Sequence, residues 1–591
     1  MAPKFAFSAL GLCLAFLLAS RPAPAEATRP LIRTALAIKN LEMSMPLTLD
    51  EVSKKEFLGL DREDEATRKR VLKDAAEYIE ARTGKKAAFH RWVETCTAKA
   101  GTTEENPFCR VEQDRKKQAT LLRTPGAPAD ERNALTSALR DGRFEAATGA
   151  SSGLISAVIR SLDHSGDLNQ VAKTYSEGKN CHSSTFNYLL AYKLEEQFPD
   201  PEIVETARKI YRKGSQCGND MYAAQSSFRY GLLELWKNEC GEIADLMTKV
   251  ESTPEASSFH ARAKYWRYHC ASAKKDEEAK KAAREALLKD HPLSFQTLAI
   301  TGDDPSAISQ IMSDSPIHAA IRSLVRTDLN PLVRGIEALI RLKQEGMAAE
   351  LVDRAIGDVG SLEPEVRLYT AVLMNRVGFA LPKFKILSGL FQDVPKMVTA
   401  DTMKLFFPLW YVDVVKKQER QIDPLLIISL IRQESAFNKA ARSGVGARGL
   451  MQVMPATARM VAAVRTIKLF DPETNVKIGT KYFVQRLHQY DGDVELTLAA
   501  YNAGFSRVDQ WKKRYPTDNR MLFLDFIPFR ETRDYVSSIL RNYYWYVKLY
   551  NQELASTPVD GEGPKINISE MKVQAIMSAN AGAAATLADQ K

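Results

Sequence analysis

Helical periodicity from residue 134 to residue 408 is the feature that most restricts the fold. Apolar residues recur there at intervals of three and four, and the period-two alternation of a β-strand is almost absent. The helical segments are joined by short polar turns into hairpins of roughly 30–40 residues, which is typical of α-solenoids. No repeat is regular enough to identify a class by its period. The sequence therefore predicts an all-α fold built as an α-superhelix, or solenoid, of helical hairpins.

A second helical stretch, residues 424–436, carries a carboxylate on its apolar side. Asp423 suits the N-cap and the proline that follows suits the first helical position. Ile427, Leu430 and Ile431 lie seven, four and three residues before Glu434, on the same helix face. Burial of that face would raise the pKa of Glu434 from roughly 4.3 to about 6, as a general acid requires. The alternative is that Glu434 ends the apolar stripe at the surface or pairs with an arginine.

The sequence motifs that accompany Glu434 favour the catalytic interpretation. Five short motifs follow one another in one stretch: Glu434-Ser435, Ser443, Gly449-Leu450-Met451-Gln452 with Met454-Pro455, Ala499-Ala500-Tyr501-Asn502-Ala503-Gly504, and Glu531-Thr532-Arg533-Asp534-Tyr535. Over residues 410–550 this pattern resembles the catalytic domain of soluble lytic murein transglycosylases, which has a goose-lysozyme-like fold. A weaker likeness to the end of that family's helical superhelix covers residues 264–267 and 291–295. The resemblance implies a lysozyme-like α domain after the superhelix.

The resemblance also assigns roles to individual residues. Glu434 is implied as the catalytic acid and base, with Tyr501 close to the glycosidic oxygen and Asn502 at the acetamido group of the sugar. The implied substrate-binding residues are Ser435, Ser443, Gly449, Leu450, Met451, Gln452, Met454, Tyr501, Asn502 and Glu531. For Met451 and Met454 plain core packing is the alternative. For Glu531 the alternative is a carboxylate stabilised by the N-terminal end of its own helix.

The implied reaction is the non-hydrolytic cleavage of the bond between N-acetylmuramic acid and N-acetylglucosamine in peptidoglycan. The muramoyl 6-hydroxyl attacks C1, so the product carries a 1,6-anhydro ring and no cofactor is required. A muramidase hydrolase on the same fold would need a second carboxylate. The candidates are Asp491, Asp493, Glu495, Asp525 and Glu531, of which the first three are explained by a turn and by helix capping. A non-catalytic, sugar-binding helical scaffold is the third interpretation.

The net charge of +9, with a pI near 8.9, indicates an anionic partner. Nucleic acid, an anionic membrane and a carboxylate-bearing wall polymer all fit this charge. The resemblance implies that the anionic partner is the glycan strands of peptidoglycan and not nucleic acid. The sequence contains no CxxC pair and no HExxH motif, so no metal site is predicted.

The N-terminus predicts export. Lys4 precedes an apolar run over residues 5–19, and Ala23-Pro24-Ala25 matches the small-x-small cleavage pattern before Glu26. The run is too short for a membrane span, and no later segment is apolar enough for one. We therefore predict a signal peptide over residues 1–25 and a periplasmic protein without an integral membrane span.

Six cysteines remain after the predicted cleavage, and an even number in an exported protein favours disulfides. Six cysteines allow 15 pairings. The simplest pairing joins neighbours along the chain: Cys96–Cys109, Cys181–Cys217 and Cys240–Cys270. All six precede the predicted catalytic domain, so bridges would brace the scaffold.

These observations divide the chain into five parts. Residues 1–25 are the signal peptide, and 26–130 are an N-terminal helical region that ends at a proline-rich break. The α-superhelical scaffold covers 131–409 and the catalytic domain covers 410–551. The Gly-, Ala- and Ser-rich tail, 552–591, is predicted to be disordered.

Overall fold

A computed structural model describes residues 60, 63–85, 89–93, 106, 108, 111–112, 128–302, 304–313, 330–418, 422–462 and 467–555. The predicted signal peptide and the predicted bridge Cys96–Cys109 lie outside the described residues, as does the predicted tail beyond Ala555. Within the described ranges every regular element is a helix, and only two isolated β-bridges occur. The all-α prediction is confirmed.

The helices before residue 314 follow one another with short connections. They are α1 (Glu65–Thr83), α2 (Ala129–Arg140), α3 (Ser152–Ser165), α4 (Leu168–Glu177), α5 (Ser184–Leu194), α6 (Pro201–Ser215), α7 (Met221–Trp236), α8 (Ile243–Glu251), α9 (Ser257–Ala273), α10 (Glu277–Asp290), α11 (Phe295–Thr301) and α12 (Pro305–Ile311).

The helices after residue 330 continue this pattern to the end of the described chain. They are α13 (Pro331–Arg341), α14 (Glu345–Arg354), α15 (Ile356–Gly360), α16 (Pro364–Arg376), α17 (Ala380–Asp393), α18 (Ala400–Phe406), α19 (Val412–Lys416), α20 (Pro424–Ser435), α21 (Pro455–Ala462), α22 (Pro472–Gln489), α23 (Val494–Ala503), α24 (Phe505–Arg514), α25 (Arg520–Phe526) and α26 (Arg530–Ala555).

The chain forms two compact units, each made of two separate segments. The first unit comprises Met1–Ala119 and Asp314–Phe406. In its described part α13 packs against α1 and α14, and α16 packs against α17. The second unit comprises Thr120–Ser313 and Phe407–Lys591, so it contains both scaffold helices and the whole region of the sequence motifs.

In the second unit consecutive helices from α5 to α10 pack each against the next, which is the predicted arrangement of helical hairpins. Two of the predicted bridges are present: Cys181–Cys217 and Cys240–Cys270 close loops with separations of 36 and 30 residues. Each staples about one hairpin. Chain entropy gives loops of this length roughly 3–4 kcal/mol of stabilisation per bridge.

The helix that carries Glu434, α20, is built as its sequence predicts. The side chain of Asp423 accepts a hydrogen bond from the backbone nitrogen of Leu425 at 2.8 Å, and proline occupies the first turn. Nearly every residue of the first two turns is buried, and the helix packs against α26. It ends at Ala436, whose φ of 46° lies in the left-handed region. None of the helices in the described part of the chain combines the length and the apolar character that crossing a bilayer would require.

Candidate active site

The carboxyl group of Glu434 lies in the last turn of α20, in contact with α26. The Tyr535 hydroxyl donates a hydrogen bond to its Oε1 at 2.5 Å. Burial raises the pKa of Glu434 to about 8; the hydrogen bond from Tyr535 opposes this rise, and the negative charge of Glu531 adds to it. Glu434 is therefore protonated at neutral pH, as a general acid must be.

Ser435 follows Glu434 on the same turn, but its hydroxyl donates to the backbone oxygen of Ile431 at 3.1 Å. This is the back-bond that serine commonly makes inside a helix. The sequence suggests that Ser435 orients the carboxyl of Glu434. In the structure the hydrogen bond that orients this carboxyl comes from Tyr535 instead.

The loop 449–452 forms a tight turn that only glycine permits at its start. Gly449 has a φ of +76°, and a Cβ at this position would lie 2.2 Å from the backbone oxygen of Leu469. Gln452 also has a positive φ of 47°, and its Nε2 donates to the oxygen of Gly449 at 2.8 Å. This hydrogen bond uses part of the amide of Gln452 to stabilise the loop itself.

The apolar residues of this loop divide between core and surface. Leu450 and Met451 are fully buried, so the core-packing alternative describes the Met451 side chain. Met454 is 38% exposed, so its side chain is accessible from solvent. Ahead of the loop, the Ser443 hydroxyl accepts a hydrogen bond from the backbone nitrogen of Ala447 at 3.0 Å, which closes the preceding turn.

Tyr501 and Asn502 at the end of α23 contact two of the other motifs, the loop 449–452 and the start of α26. The Tyr501 hydroxyl donates to the backbone oxygen of Met451 at 2.9 Å. Burial raises the pKa of Tyr501 well above its usual value, and the negative charge of Glu434 adds to this rise. The Oδ1 of Asn502 accepts a hydrogen bond from the Thr532 hydroxyl at 2.7 Å. The structure thus gathers the motifs of α20, the loop 449–452, α23 and α26.

The remaining candidate carboxylates differ in their surroundings. Glu531 is exposed in the first turn of α26, yet its charge reaches Glu434. Asp491 is exposed, and Asp493 caps α23 through the backbone nitrogen of Leu496 at 2.8 Å. The prediction that capping explains Glu495 is wrong: the side chain is buried and pairs with Arg520 at 3.0 Å.

Asp525 is buried as well. Its Oδ2 accepts a hydrogen bond from Nε1 of Trp266 at 2.7 Å, and its Oδ1 lies 3.3 Å from Nε of Arg262. Both partners belong to scaffold helix α9. Asp525 therefore ties the region of α25 to the scaffold rather than facing Glu434.

Two residues of the site were not assigned a role from the sequence. Tyr535 lies four residues after Glu531, on the same face of one helix, so its position in the motif was a usable signal. Asn475 lies on the apolar face of α22 and is fully buried, with its amide bonded to the loop 449–452. A lone asparagine on an apolar stripe was the only signal for it. Among the described residues, His, Cys, Asp and Glu side chains form no group of three or more that could hold a metal ion.

Comparison with known proteins places residues 414–523 in one family, described as the transglycosylase SLT domain. A soluble lytic murein transglycosylase of Escherichia coli (strain K12) is 38% identical over 150 residues, which is 24% of this chain and 23% of that protein. A soluble lytic murein transglycosylase of Salmonella typhimurium is 36% identical over 165 residues, which is 26% of this chain and 26% of that protein. The aligned part is thus about a quarter of the length of these curated relatives. The crystal structure of the 70 kDa soluble lytic transglycosylase from Escherichia coli is 17% identical with a TM-score of 0.44, covering 89% of this chain and 92% of that one.

Proposed function

We propose that this chain, whose residues 414–523 match the transglycosylase SLT domain, is a soluble lytic transglycosylase that cleaves peptidoglycan between N-acetylmuramic acid and N-acetylglucosamine. Glu434 protonates the glycosidic oxygen as the bond breaks. The resulting carboxylate then takes the proton of the muramoyl 6-hydroxyl while that oxygen attacks C1. The strand ends in a 1,6-anhydro ring, and no water is consumed.

The observation that carries this proposal is the state of Glu434. A carboxyl that is half-buried, bonded to one tyrosine hydroxyl and protonated at neutral pH is matched to proton donation. The same carboxyl has Glu531 nearby, and repulsion between the two helps to return the proton after the first step. Tyr501 and Asn502 at the end of α23 are proposed to hold the sugar beside it, with Ser443, Gln452 and Met454 along the groove.

A muramidase remains the second candidate because one observation favours it. Glu531 is exposed to water and close enough to Glu434 for its charge to be felt, which is where a water-activating carboxylate would have to lie. The other carboxylates are less suitable: Asp493 caps a helix, and Glu495 and Asp525 are each held by an arginine. In the lytic reaction the substrate's own 6-hydroxyl replaces that water, with the advantage of an intramolecular attack.

The location follows from the substrate. Peptidoglycan glycan strands are the proposed partner, and the periplasm is the compartment in which a protein exported by the predicted N-terminal signal would meet them. The positive net charge of the chain suits an anionic, carboxylate-bearing polymer.

Product analysis separates the two enzymes. Glycan strands digested with the purified protein are expected to end in 1,6-anhydromuramic acid, one water lighter than the product of hydrolysis, as measured by mass spectrometry. Digestion in ¹⁸O-labelled water should leave these ends unlabelled. Mainly reducing ends that carry the label would establish the muramidase. A substrate that stays intact would favour the third interpretation, a non-catalytic, sugar-binding scaffold.

The pH dependence of kcat/KM provides a test of the charges around Glu434. The proton donor is lost above the pKa of Glu434, so activity should fall at about pH 8 and above. Glu531→Gln removes the negative charge that raises this pKa, so the alkaline limb should move to lower pH while turnover is weakened but retained. Tyr535→Phe removes a hydrogen bond that stabilises the carboxylate, so the limb should move to higher pH.

The two variants control for each other because both residues lie in the first turns of α26. Shifts of the alkaline limb in the same direction would show a change in helix packing rather than in electrostatics. Complete loss of activity in Glu531→Gln, with labelled reducing ends in the wild type, would contradict the lytic mechanism.

A further inference from the structure

One buried side chain makes three hydrogen bonds to main-chain groups in and beside the loop 449–452. Asn475, near the start of α22, is fully buried. Its Oδ1 accepts a hydrogen bond from the backbone nitrogen of Met451 at 2.8 Å. Its Nδ2 donates to the backbone oxygens of Arg448 and Leu469, each at 2.8 Å. All three partners are main-chain groups, so this one amide fixes the path of the chain.

Two glycines make this close approach possible. A Cβ at Gly449 would lie 2.3 Å from the Nδ2 of Asn475, which no side chain could tolerate. Gly479, one turn further along α22, makes room for the Met451 side chain, since a Cβ there would lie 2.6 Å from its Sδ. The loop and this face of α22 therefore fit together as one rigid unit.

Met451 connects this unit to the groove. Its backbone nitrogen is held by Asn475, and its backbone oxygen accepts the hydrogen bond of the Tyr501 hydroxyl at 2.9 Å. The charge of Glu434 in turn acts on Tyr501. The next residue, Gln452, holds a left-handed backbone conformation that is uncommon outside glycine and depends on a well-defined turn.

We propose that Asn475 is a positioning residue, which fixes the backbone of Met451 and thereby places the Tyr501 hydroxyl and Gln452 relative to Glu434. This role rests on the proposed function, because Tyr501 and Gln452 serve a substrate in that groove. Asn475 itself touches no substrate. Its loss should lower kcat by up to about 10²-fold, the effect of a misplacement of about 1 Å, while KM changes much less.

Two variants test the role. Asn475→Asp keeps the shape and the acceptor for Met451, but it turns a carboxylate oxygen toward two carbonyl oxygens. Asn475→Ser removes the amide without adding a charge, in case the aspartate variant does not fold. For each, kcat and KM are measured on isolated glycan strands, and hydrogen–deuterium exchange is measured by mass spectrometry on peptides that contain the Met451 amide. Both variants should lower kcat and speed up exchange in the loop 449–452.

A matched control removes the effect of stability. Asn187 on scaffold helix α5 is also fully buried, and its Nδ2 donates to the backbone oxygen of Ser183 at 2.7 Å. Asn187→Asp should lower the melting temperature in a similar way, but it should leave kcat and the exchange of the loop unchanged. Equal losses of kcat in Asn187→Asp and Asn475→Asp at equal loss of stability would overturn the proposal.

A double-mutant cycle identifies the path. If Asn475 acts through Tyr501, the effect of Asn475→Ser on kcat should largely disappear in a Tyr501→Phe background. Additive effects both in this cycle and in the matching cycle with Gln452→Ala would overturn the proposal, as would a kcat within twofold of wild type in both Asn475 variants. A wild-type protein without turnover would refute the proposed function instead, and loop exchange would still decide whether Asn475 holds Met451.

Discussion

Replacement of Glu434 by glutamine is expected to preserve the fold and to reduce turnover of peptidoglycan by about 10⁴-fold or more. General acid–base assistance typically contributes about 10²–10⁴ in rate, and here one residue serves both proton transfers. The protonated carboxyl and the amide have nearly the same shape, and the amide oxygen can still accept the hydrogen bond of Tyr535. The melting temperature should therefore stay close to that of the wild type, because no buried charge is gained or lost.

Glu473→Gln is the matched control for this prediction. Glu473 lies in the same domain and has a side chain that is 63% exposed, so its replacement removes a formal charge without touching the groove. It should leave kcat and the pH profile unchanged. Retention of activity within tenfold of wild type in Glu434→Gln would remove Glu434 from the mechanism.

Replacement of Arg229 by methionine is expected to lower the free energy of unfolding by about 3–5 kcal/mol, because a buried carboxylate loses its counter-charge. Arg229 on α7 pairs with Glu195, and both side chains are at most 5% exposed. Glu195 also accepts hydrogen bonds from the hydroxyls of Tyr211 at 2.5 Å and Tyr515 at 2.7 Å. Arg229 in turn donates to the backbone oxygen of Asp525 at 3.1 Å. Urea denaturation followed by tryptophan fluorescence measures the loss.

Two further variants show whether burial causes the effect. Adding Glu195→Gln to Arg229→Met removes the unpaired charge and should recover part of the stability. Arg212 and Glu242 form an ion pair at 3.0 Å with both side chains about half exposed, so Arg212→Met should cost less than about 1 kcal/mol. A cost for Arg229→Met as small as that for Arg212→Met would contradict the prediction.

The part of the site around Glu434 could be predicted because its determinants are local. The cap at Asp423, the proline after it and the apolar spacing up to Glu434 act within a few residues along one helix. The same signal is present at Asp471, whose side chain caps α22 ahead of Pro472.

The remaining site residues could not be predicted because their partners come from other helices. Tyr535 is separated from Glu434 by 101 residues, and no periodicity in either helix encodes their contact. Glu495 looks like a first-turn carboxylate in the sequence, and only the packing of α25 brings Arg520 to it. Helix packing is decided by side-chain shape over the whole core, which a single sequence does not reveal.

The same limit applies to the fold. Helical hairpins and the two bridges Cys181–Cys217 and Cys240–Cys270 follow from segment length and neighbouring cysteines. The sequence does not predict that Thr120–Ser313 and Phe407–Lys591 form one compact unit. That arrangement depends on contacts such as the one between Trp266 and Asp525, which are 259 residues apart.

The contact of Glu195 with Tyr515 also sets an order of assembly. The two residues are 320 positions apart, so there is an interval in which Glu195 is available to fold and Tyr515 is not. During that interval the face of α5 and α7 that later receives α25 is without its cover. This face carries the charges of Arg229 and Glu195, which water can solvate until the last helices arrive. We therefore expect the incomplete chain to aggregate less through this face than a variant with a purely apolar pair at these two positions would.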